Sequence, residues 1–324
     1  MKREVYRSLR DISHEELLSP GGTLCAGCGG LLTLRLFHKV LGKNVVFVNA
    51  AGCLTMLAVF PFTPLRSSWI YTAMACAPAG AQGIRDALDI LKEKGEIPPE
   101  EDLKVVVVTG DGAAQDIGLQ STLAAIHRGL DFYYLCYDNE AYGNTGFQMS
   151  ASSPYGSRTT TSPATPFYPA GTTQQRRDLC EIWRVQKPPY VATISAAYPL
   201  DLCEKVYRAG KRTGPKLFIA LSPCPPGWDV KPEWSVELAR LAVRTGIWPL
   251  KEAVDGNVAH TQIPTRRRPV EDYLSKQGRF RHLFAPQRNE EAIARIQAEV
   301  DRYWEEVTGA KLSEKIAVRR ASNG

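Results

Sequence analysis

Four cysteines stand in short segments of small residues that could bring thiolates to one centre. Cys25 and Cys28 form a Cys-Ala-Gly-Cys pair followed by two glycines, whereas Cys53 and Cys224 follow Ala-Gly and Ser-Pro. A Cys-x-x-Cys pair places two soft ligands side by side and is shared by zinc sites, thiol redox sites and iron–sulfur clusters. The pair indicates soft-ligand chemistry and leaves those three kinds of site open, because thiolates suit zinc and iron alike.

A second motif has the residue types of a phosphate and metal site. The apolar run at 105–109 leads directly into Gly110-Asp111-Gly112, and a helical pattern begins near Ile117. Glycines at a strand-to-helix turn let backbone amides approach an anion, and the helix N-terminus adds a partial positive charge. A carboxylate between the glycines suits a Mg²⁺ ion that bridges phosphate oxygens. This turn is therefore predicted to bind a metal–phosphate group.

Asn139 stands where it could share that metal ion. It follows the apolar run at 132–137 and lies 28 residues after Asp111. Because the carboxyl ends of neighbouring parallel strands meet at one sheet edge, we expect Asn139 beside Asp111. A Gly-Asp-Gly opening and an asparagine at this interval resemble the thiamine diphosphate motif. That motif usually ends in Asn-Asn, whereas this chain has Asn139-Glu140.

The elements that must position these residues alternate through the first 225 residues. Strands are predicted at 45–49, 104–109, 132–137, 190–194 and 217–221, and helices at 74–94, 117–128, 174–186 and 200–212. This spacing is typical of parallel βαβ units and predicts an α/β fold with a doubly wound, mostly parallel sheet. Cys53 and Cys224 each follow a predicted strand, so both are expected at the carboxyl edge of the sheet.

Two stretches break the alternation: residues 144–173, rich in Ser, Thr, Pro and Gly, and everything after Pro223. Loops this long are usually functional or disordered. Apolar residues at helical spacing predict one amphipathic helix near 289–307. The basic segments PTRRRPV and QGRFRHLF are expected at a solvated or subunit-facing surface, with coenzyme A or ferredoxin docking as an alternative. We divide the chain into an arm (1–20), a cofactor domain (21–230), a C-terminal extension (231–310) and a flexible tail (311–324).

The composition excludes several classes of protein. With 44% hydrophobic and 23% charged residues among 324, the chain is not disordered as a whole. The net charge of +6 is too dilute to indicate nucleic-acid binding. Eight cysteines are too few for a disulfide scaffold, and the charged N-terminal stretch lacks the apolar core of a secretion signal. We therefore expect a cytoplasmic protein with no membrane segment.

Four further cysteines fall in predicted helices or strands among apolar neighbours: Cys76, Cys136, Cys180 and Cys203. A cysteine in such a setting is most often a small buried hydrophobe. We expect these four to be buried and structural.

The motifs together resemble the β subunit of pyruvate:ferredoxin oxidoreductase and its 2-oxoacid relatives. The resemblance rests on the spaced cysteines with GDGAAQDIG and YDNEAYGNTGFQMS, and on SPYGSRTTTSP, YVATISAAYPLDL and LSPCPPGW. It covers about residues 21–228 and continues more weakly into PVEDYLSKQGRFRHL. It implies the thiamine diphosphate-binding α/β fold.

The resemblance also implies a role for each motif residue. Four thiolates would ligate one [4Fe-4S] cluster near the cofactor: Cys25, Cys28, Cys53 and Cys224. Three oxygen ligands, the last a backbone carbonyl, would bind Mg²⁺: Asp111, Asn139 and Ala141. Three glycines would line the diphosphate: Gly110, Gly112 and Gly143. Asn144 would be the catalytic residue facing the reacting carbonyl.

The implied activity is coenzyme A-dependent oxidative decarboxylation of a 2-oxoacid with electron transfer to ferredoxin or a similar acceptor. Pyruvate is the commonest substrate of the family; aryl glyoxylates, branched 2-oxoacids, 2-oxoglutarate and oxalate are used by relatives. Segment 60–69 lacks the tyrosine-rich run associated with pyruvate enzymes. The implied partners are an alpha subunit with the pyrimidine-binding domain, and gamma and ferredoxin-like delta subunits or their fusions.

Two other kinds of protein fit parts of the pattern. A non-catalytic structural subunit could keep the fold and bind zinc through the cysteines, and a thiamine decarboxylase-type enzyme could work without a cluster. Metal analysis separates the three, since only the first holds about four irons per chain.

Overall fold

The computed structural model describes residues 5–59 and 61–309, which form one eight-stranded sheet with helices on both faces. The strands are β1 (Val45–Ala50), β2 (Ser68–Thr72), β3 (Lys104–Gly110), β4 (Tyr133–Asp138), β5 (Tyr190–Ser195), β6 (Lys216–Leu221), β7 (Leu250–Val254) and β8 (Asn257–Gln262). Their order is β2-β1-β3-β4-β6-β5-β7-β8. β1 to β6 pair in parallel, and β7 and β8 join antiparallel. The predicted α/β fold with a mostly parallel sheet is confirmed.

The helices of the described residues are α1 (Gly29–Leu41), α2 (Ala77–Glu93), α3 (Leu119–Arg128), α4 (Leu179–Arg184), α5 (Pro199–Ala209), α6 (Pro225–Trp228), α7 (Ser235–Thr245), α8 (Glu271–Leu274) and α9 (Glu290–Thr308). Alternate strand residues point to opposite faces and feed two cores. Val105 and Val107 pack with α2, α3 and α7 on one face, whereas Val106 and Val108 pack with α1 and α5 on the other. No helix in these described ranges is long and apolar enough to cross a membrane.

The C-terminal extension builds onto the same sheet. β7 pairs with β5, and β8 pairs with β7, so two strands and α7 follow Pro223, where the sequence shows no alternation. The predicted amphipathic helix is confirmed as α9. It packs against the body through buried Trp304, whose Nε1 donates to the carbonyl oxygen of Gly246 at 3.0 Å.

The N-terminal arm is tied to the body where it is described. The backbone amides of Val5 and Tyr6 donate to Oε2 of Glu204 in α5, at 2.9 and 3.1 Å. Residues 1–4 of the arm and the predicted flexible tail at 311–324 lie outside the described residues.

The expectation for the four structural cysteines holds for three of them. Cys136, Cys180 and Cys203 are buried, but Cys76 is exposed. The prediction for Cys76 is wrong because α2 begins one residue later, at Ala77, which leaves the thiol at the helix terminus rather than on its apolar face.

Candidate active site

The predicted metal ligands meet where β3 and β4 end side by side. Gly110 of β3 lies opposite Tyr137 of β4, which brings the following residues of both strands together. Asp111 is completely buried, and its Oδ1 accepts a hydrogen bond from the backbone amide of Asn139 at 3.3 Å. The hydroxyl of Ser150 donates to its Oδ2. The strand ends thus place the carboxylate and the asparagine in contact, as the sequence predicts.

The Asn139 side-chain amide lies against two oxygen atoms at this turn. One of its terminal atoms is 2.7 Å from the carbonyl oxygen of Ala141 and 3.1 Å from Oδ1 of Asp111, and with the amide nitrogen in that place it donates to both oxygens. Turned the other way, the amide would add its own oxygen to the two others, and three oxygen donors are the type of ligand that Mg²⁺ takes. The donor set fits Mg²⁺.

The charges around Asp111 also favour a cation. Burial raises the pKa of Asp111 well above its usual value, and the negative charge of Asp138 raises it further. A buried carboxylate that stays ionised needs a compensating positive charge. A divalent ion at the three oxygens would supply that charge directly.

A cleft opens above these oxygens. Backbone and small side chains from three strand ends form most of its lining: Ala51, Gly52, Cys53, Met74, Gly110, Gly112, Ala113, Tyr137, Asn139, Ala141, Tyr142, Gly143, Asn144 and Thr145. The lining includes every predicted cofactor residue except Asp111, which lies buried beneath it, and exposed Asn144 stands at its rim. The arrangement places backbone of the two strand ends beside the buried Asp111 carboxylate, which suits an anion and a cation bound together.

Gly143 joins this cleft to the cysteines. A Cβ at this position would lie 2.8 Å from Nδ2 of Asn139 and 3.3 Å from Sγ of Cys53. We expect Gly143→Ala to displace the Asn139 amide and to weaken Mg²⁺-dependent thiamine diphosphate binding by about tenfold. Calorimetric titration of the assembled protein measures this affinity.

The control for that substitution is Gly83→Ala. Gly83 lies in α2, and a Cβ there meets no atom within 4 Å. This variant should bind the cofactor normally and unfold at an equal or slightly higher temperature, because alanine favours a helix over glycine. Equal cofactor affinities for the two variants would contradict a close approach at Gly143.

The Cys25–Cys28 loop lies against the segment after β6. The backbone amide of Gly29 donates to the carbonyl oxygen of Pro223 at 3.0 Å. A Cβ at Gly29 would lie 2.6 Å from the ring of Pro223, so only glycine permits this approach. The close packing brings the Cys-x-x-Cys pair up to Cys224.

The four predicted thiols act on one another electrostatically. Burial, together with the charges of Cys224, Cys28 and Cys25, raises the pKa of Cys53 to about 12. Burial likewise raises the pKa of Cys224 to about 11, which the positive charge of Arg279 opposes. Thiolates in such a place need a cationic centre. Within 5–59 and 61–309, no three Cys, His, Asp or Glu side chains converge closely enough to hold one metal ion.

Comparison with known proteins identifies the family. The family model for the C-terminal TPP-binding domain of thiamine pyrophosphate enzymes matches residues 50–220. The pyruvate synthase subunit PorB of Methanothermobacter thermautotrophicus is 46% identical over 297 residues, covering 91% of this chain and 99% of that protein. The chain belongs to the pyruvate synthase β-subunit family. The predicted resemblance to 2-oxoacid:ferredoxin oxidoreductases is confirmed.

Other similar proteins are named for 2-oxoacids other than pyruvate. The ketoisovalerate oxidoreductase subunit VorB of Pyrococcus horikoshii is 36% identical, over 93% of this chain and 95% of that protein. A solved 2-oxoglutarate:ferredoxin oxidoreductase from Magnetococcus marinus shares the fold, with a TM-score of 0.53 and 23% identity over 71% of this chain and 81% of that chain.

The serine-rich loop at 144–173 holds the acidic turn of this family member in place. Besides the Ser150 contact to Asp111, the hydroxyl of Ser152 donates to both carboxylate oxygens of Asp138 at 2.7 Å. The hydroxyl of Ser153 donates to the carbonyl oxygen of Glu140 at 2.7 Å. The loop is therefore ordered structure around the site, and its serines give hydrogen bonds to oxygens that would otherwise be buried without partners.

Sequence reasoning missed the residues that accommodate Glu140 in place of the usual asparagine. The Glu140 carboxylate is buried and contacts Arg176 Nη1 at 2.8 Å and Arg279 Nη2 at 2.6 Å. Arg279 belongs to the QGRFRHLF segment expected at the surface, and for Arg279 that expectation is wrong because ion pairing with Glu140 draws its side chain inward. The signal available in the sequence was Glu140 itself, since a carboxylate inside a metal-binding turn requires a cationic partner.

Proposed function

We propose that this chain is the subunit that binds thiamine diphosphate, Mg²⁺ and one [4Fe-4S] cluster in a coenzyme A-dependent pyruvate:ferredoxin oxidoreductase. The observation that carries the proposal is the meeting of Asp111, the Asn139 amide and the Ala141 carbonyl at a glycine-lined cleft that the Cys53 thiol also lines, beside Gly143. Family membership supports it, because the Methanothermobacter thermautotrophicus relative aligns over 91% of this chain and 99% of its own length.

The chain's own residues would hold and orient the cofactor. Asp111, the Asn139 side chain and the Ala141 carbonyl would bind Mg²⁺, while Gly110, Gly112 and Gly143, which line the cleft, would border the diphosphate. When bound, thiamine diphosphate supplies the electron sink for decarboxylation. Asn144 stands at the open rim, where its amide N–H could donate to the substrate's carbonyl oxygen as negative charge develops there.

The four cysteines would hold the cluster within short reach of the cofactor. Cys53 lines the cofactor cleft itself, so the thiolate it offers iron is also the nearest to the reacting centre. The zinc alternative would use the same thiolates, and metal analysis separates it from the cluster. Electron transfer from cofactor to cluster would then cross only the turn around Gly143.

We expect Cys53→Ser to abolish or convert the cluster, since a hydroxyl is a poor substitute for thiolate on iron. Iron analysis and the visible spectrum measure the loss, and dye reduction should fall with it. Cys76→Ser is the matched control, because Cys76 is exposed and lies outside the proposed ligand set. Full iron content in Cys53→Ser would exclude Cys53 as a ligand, and one zinc per chain in the unmodified protein would rule out the cluster.

Pyruvate is the substrate we propose, because the PorB relatives are named for pyruvate synthase. The branched 2-oxoacid of the VorB relative is the chief competitor. Turnover of a panel of 2-oxoacids by the reconstituted complex, followed with a viologen dye, decides between them. A larger kcat/KM for a branched 2-oxoacid than for pyruvate would overturn this choice.

Partner subunits would cover the face beside the cleft. The relatives are named as subunits, and this chain exposes large apolar side chains near the ends of β1 and β2: Met56, Val59, Phe62, Ile70 and Tyr71. Exposed apolar groups clustered in this way mark protein contacts. We propose that the alpha subunit with the pyrimidine-binding domain docks there, that gamma and ferredoxin-like delta subunits complete the complex, and that it works in the cytoplasm.

A further inference from the structure

We propose that Arg279, contributed by the C-terminal extension, is a positioning residue that fixes the metal-binding turn through Glu140 and raises the reduction potential of the cluster through its buried positive charge. This inference rests on the proposed function and goes beyond it. It gives the basic segment of the extension a role inside the active site.

Glu140 has a backbone conformation that surrounding contacts must stabilise. It lies between the two metal-type ligands Asn139 and Ala141 and adopts φ of +65°, a left-handed conformation that ordinary residues avoid. Such a conformation costs on the order of 1 kcal/mol or more and persists only where surrounding contacts enforce it. Movement of Glu140 would therefore move both neighbouring ligands.

Arg279 supplies much of that enforcement. Its side chain is 1% exposed, its Nη2 lies 2.6 Å from Glu140 Oε2, and its Nε donates to Gln277 Oε1 at 2.9 Å. The guanidinium centre lies 3.9 Å from the centre of the Trp228 ring. The planar guanidinium stacks on this indole while its Nε donates to Gln277 and its Nη2 donates to the hydroxyl of Tyr273 at 3.4 Å, a combination that a lysine ammonium does not reproduce.

Trp228 connects this arginine to both halves of the site. Its indole Nε1 donates to the carbonyl oxygen of Asn139 at 3.0 Å. Its backbone amide donates to the carbonyl oxygen of Cys224 at 2.8 Å. The Arg279 charge thus rests on a side chain that touches the metal-binding turn and belongs to the helical turn directly after a cluster cysteine.

A buried positive charge at Arg279 would act on a cluster held by Cys224, since Trp228 stacks on the guanidinium and donates its backbone amide to Cys224. Reduction adds one negative charge to the cluster, and a nearby cation stabilises the reduced state, which raises the potential. Burial prevents solvent from screening the interaction. Removing Arg279 would also leave Glu140 paired only with Arg176, adding uncompensated negative charge that lowers the potential further.

The test compares Arg279→Met, Arg279→Lys and Arg281→Met in the assembled complex. Iron content, the midpoint potential from an EPR-monitored redox titration and the thiamine diphosphate Kd are measured for each. Arg279→Met should keep its iron, show a more negative midpoint potential and bind the cofactor about tenfold more weakly. Arg279→Lys should restore most of the midpoint potential but not the thiamine diphosphate affinity, because lysine restores the positive charge but not the planar guanidinium.

Arg281→Met is the matched control from the same turn. The Arg281 side chain is 72% exposed and pairs with Asp229, so water screens its charge. Its removal should change neither the midpoint potential nor the thiamine diphosphate Kd.

Glu140→Gln is the opposite variant, because it removes the negative charge that Arg279 balances, and the midpoint potential of the cluster should rise. This variant keeps the test decisive if Arg279→Met does not fold.

Unchanged midpoint potentials in Arg279→Met or Glu140→Gln would overturn the inference. Equal falls in potential for Arg279→Met and Arg281→Met would overturn it as well, since they would show an unspecific effect of net charge. Absence of iron from the unmodified complex would instead overturn the proposed function, and the iron assay detects that failure separately.

Discussion

Asp111→Ala is expected to weaken thiamine diphosphate binding by about 100-fold or more while the cluster spectrum survives. Loss of a group that merely orients a metal ligand costs about 10- to 100-fold in affinity, and Asp111 is the charged ligand itself in our proposal. Without it, two neutral oxygens would have to hold Mg²⁺ against the diphosphate. The cysteines contact other segments, so their iron should remain.

Titration calorimetry with Mg²⁺ and thiamine diphosphate measures the change in affinity, and iron analysis verifies the cluster. Asp111→Asn separates the effect of charge from that of side-chain shape. Its affinity for thiamine diphosphate should fall nearly as much as that of Asp111→Ala. Without cofactor it should unfold at an equal or higher temperature, because a neutral amide replaces a buried carboxylate beside Asp138. Asp86→Ala, which removes an exposed partner of Arg128, is the surface control. Unchanged affinity in Asp111→Ala would refute the metal assignment.

The strands that the sequence predicts well are those buried on both faces. β1, β3, β4, β5 and β6 are continuous apolar runs, as central parallel strands must be, and each occurs within a residue or two of its predicted bounds. β2 is not predicted from the sequence, because it is an edge strand with Ser68, Ile70 and Tyr71 exposed to solvent. A half-exposed strand carries too little apolar signal to stand out.

Tertiary pairing explains the other omissions. β7 contains Lys251 and Glu252, which read as surface residues, but both are buried by contacts that come from distant parts of the chain. Glu252 accepts from the hydroxyl of Tyr190 and pairs with Arg208 at 2.6 Å. α1 begins with two glycines, which have poor helix propensity, and forms because its apolar face packs against the sheet.

The site residues also differ in how far the sequence alone predicts them. Asp111 and Asn139 are predictable because chain order alone places strand ends on one edge. The Arg279 contact with Glu140 spans about half the chain, and no local pattern distinguishes this arginine from exposed Arg281 two residues later. The difference arises only when Trp228 and Glu140 create a buried acceptor for it. Residues predicted to carry chemistry can be read from the sequence, whereas the residues that hold them in place can be read only from the fold.

The second large effect is the loss of activity expected when this chain is purified without its partner subunits. A thiamine enzyme needs a carboxylate hydrogen-bonded to the aminopyrimidine so that the thiazolium carbon can lose its proton, and the family resemblance implies that this glutamate comes from the pyrimidine-binding domain. The residues at 5–59 and 61–309 build a single sheet, and exposed apolar side chains such as Phe62 and Tyr71 lie in the stretch of chain between Cys53 and Met74, both of which line the cleft. The cofactor would thus lie at a subunit boundary.

We therefore expect the purified chain to give no 2-oxoacid-dependent dye reduction with thiamine diphosphate, Mg²⁺ and coenzyme A, and to gain it when the partner chains are added. Tyr71→Asp should weaken that gain, because it places a charge on the face proposed to be covered, whereas a charge at exposed Val258 on β8 at the far edge of the sheet should not. Dye reduction and size-exclusion chromatography of the mixtures measure activity and assembly together. Turnover by the isolated chain at the rate of the complex would show that its cleft already contains every catalytic group, including the base that we assign to a partner.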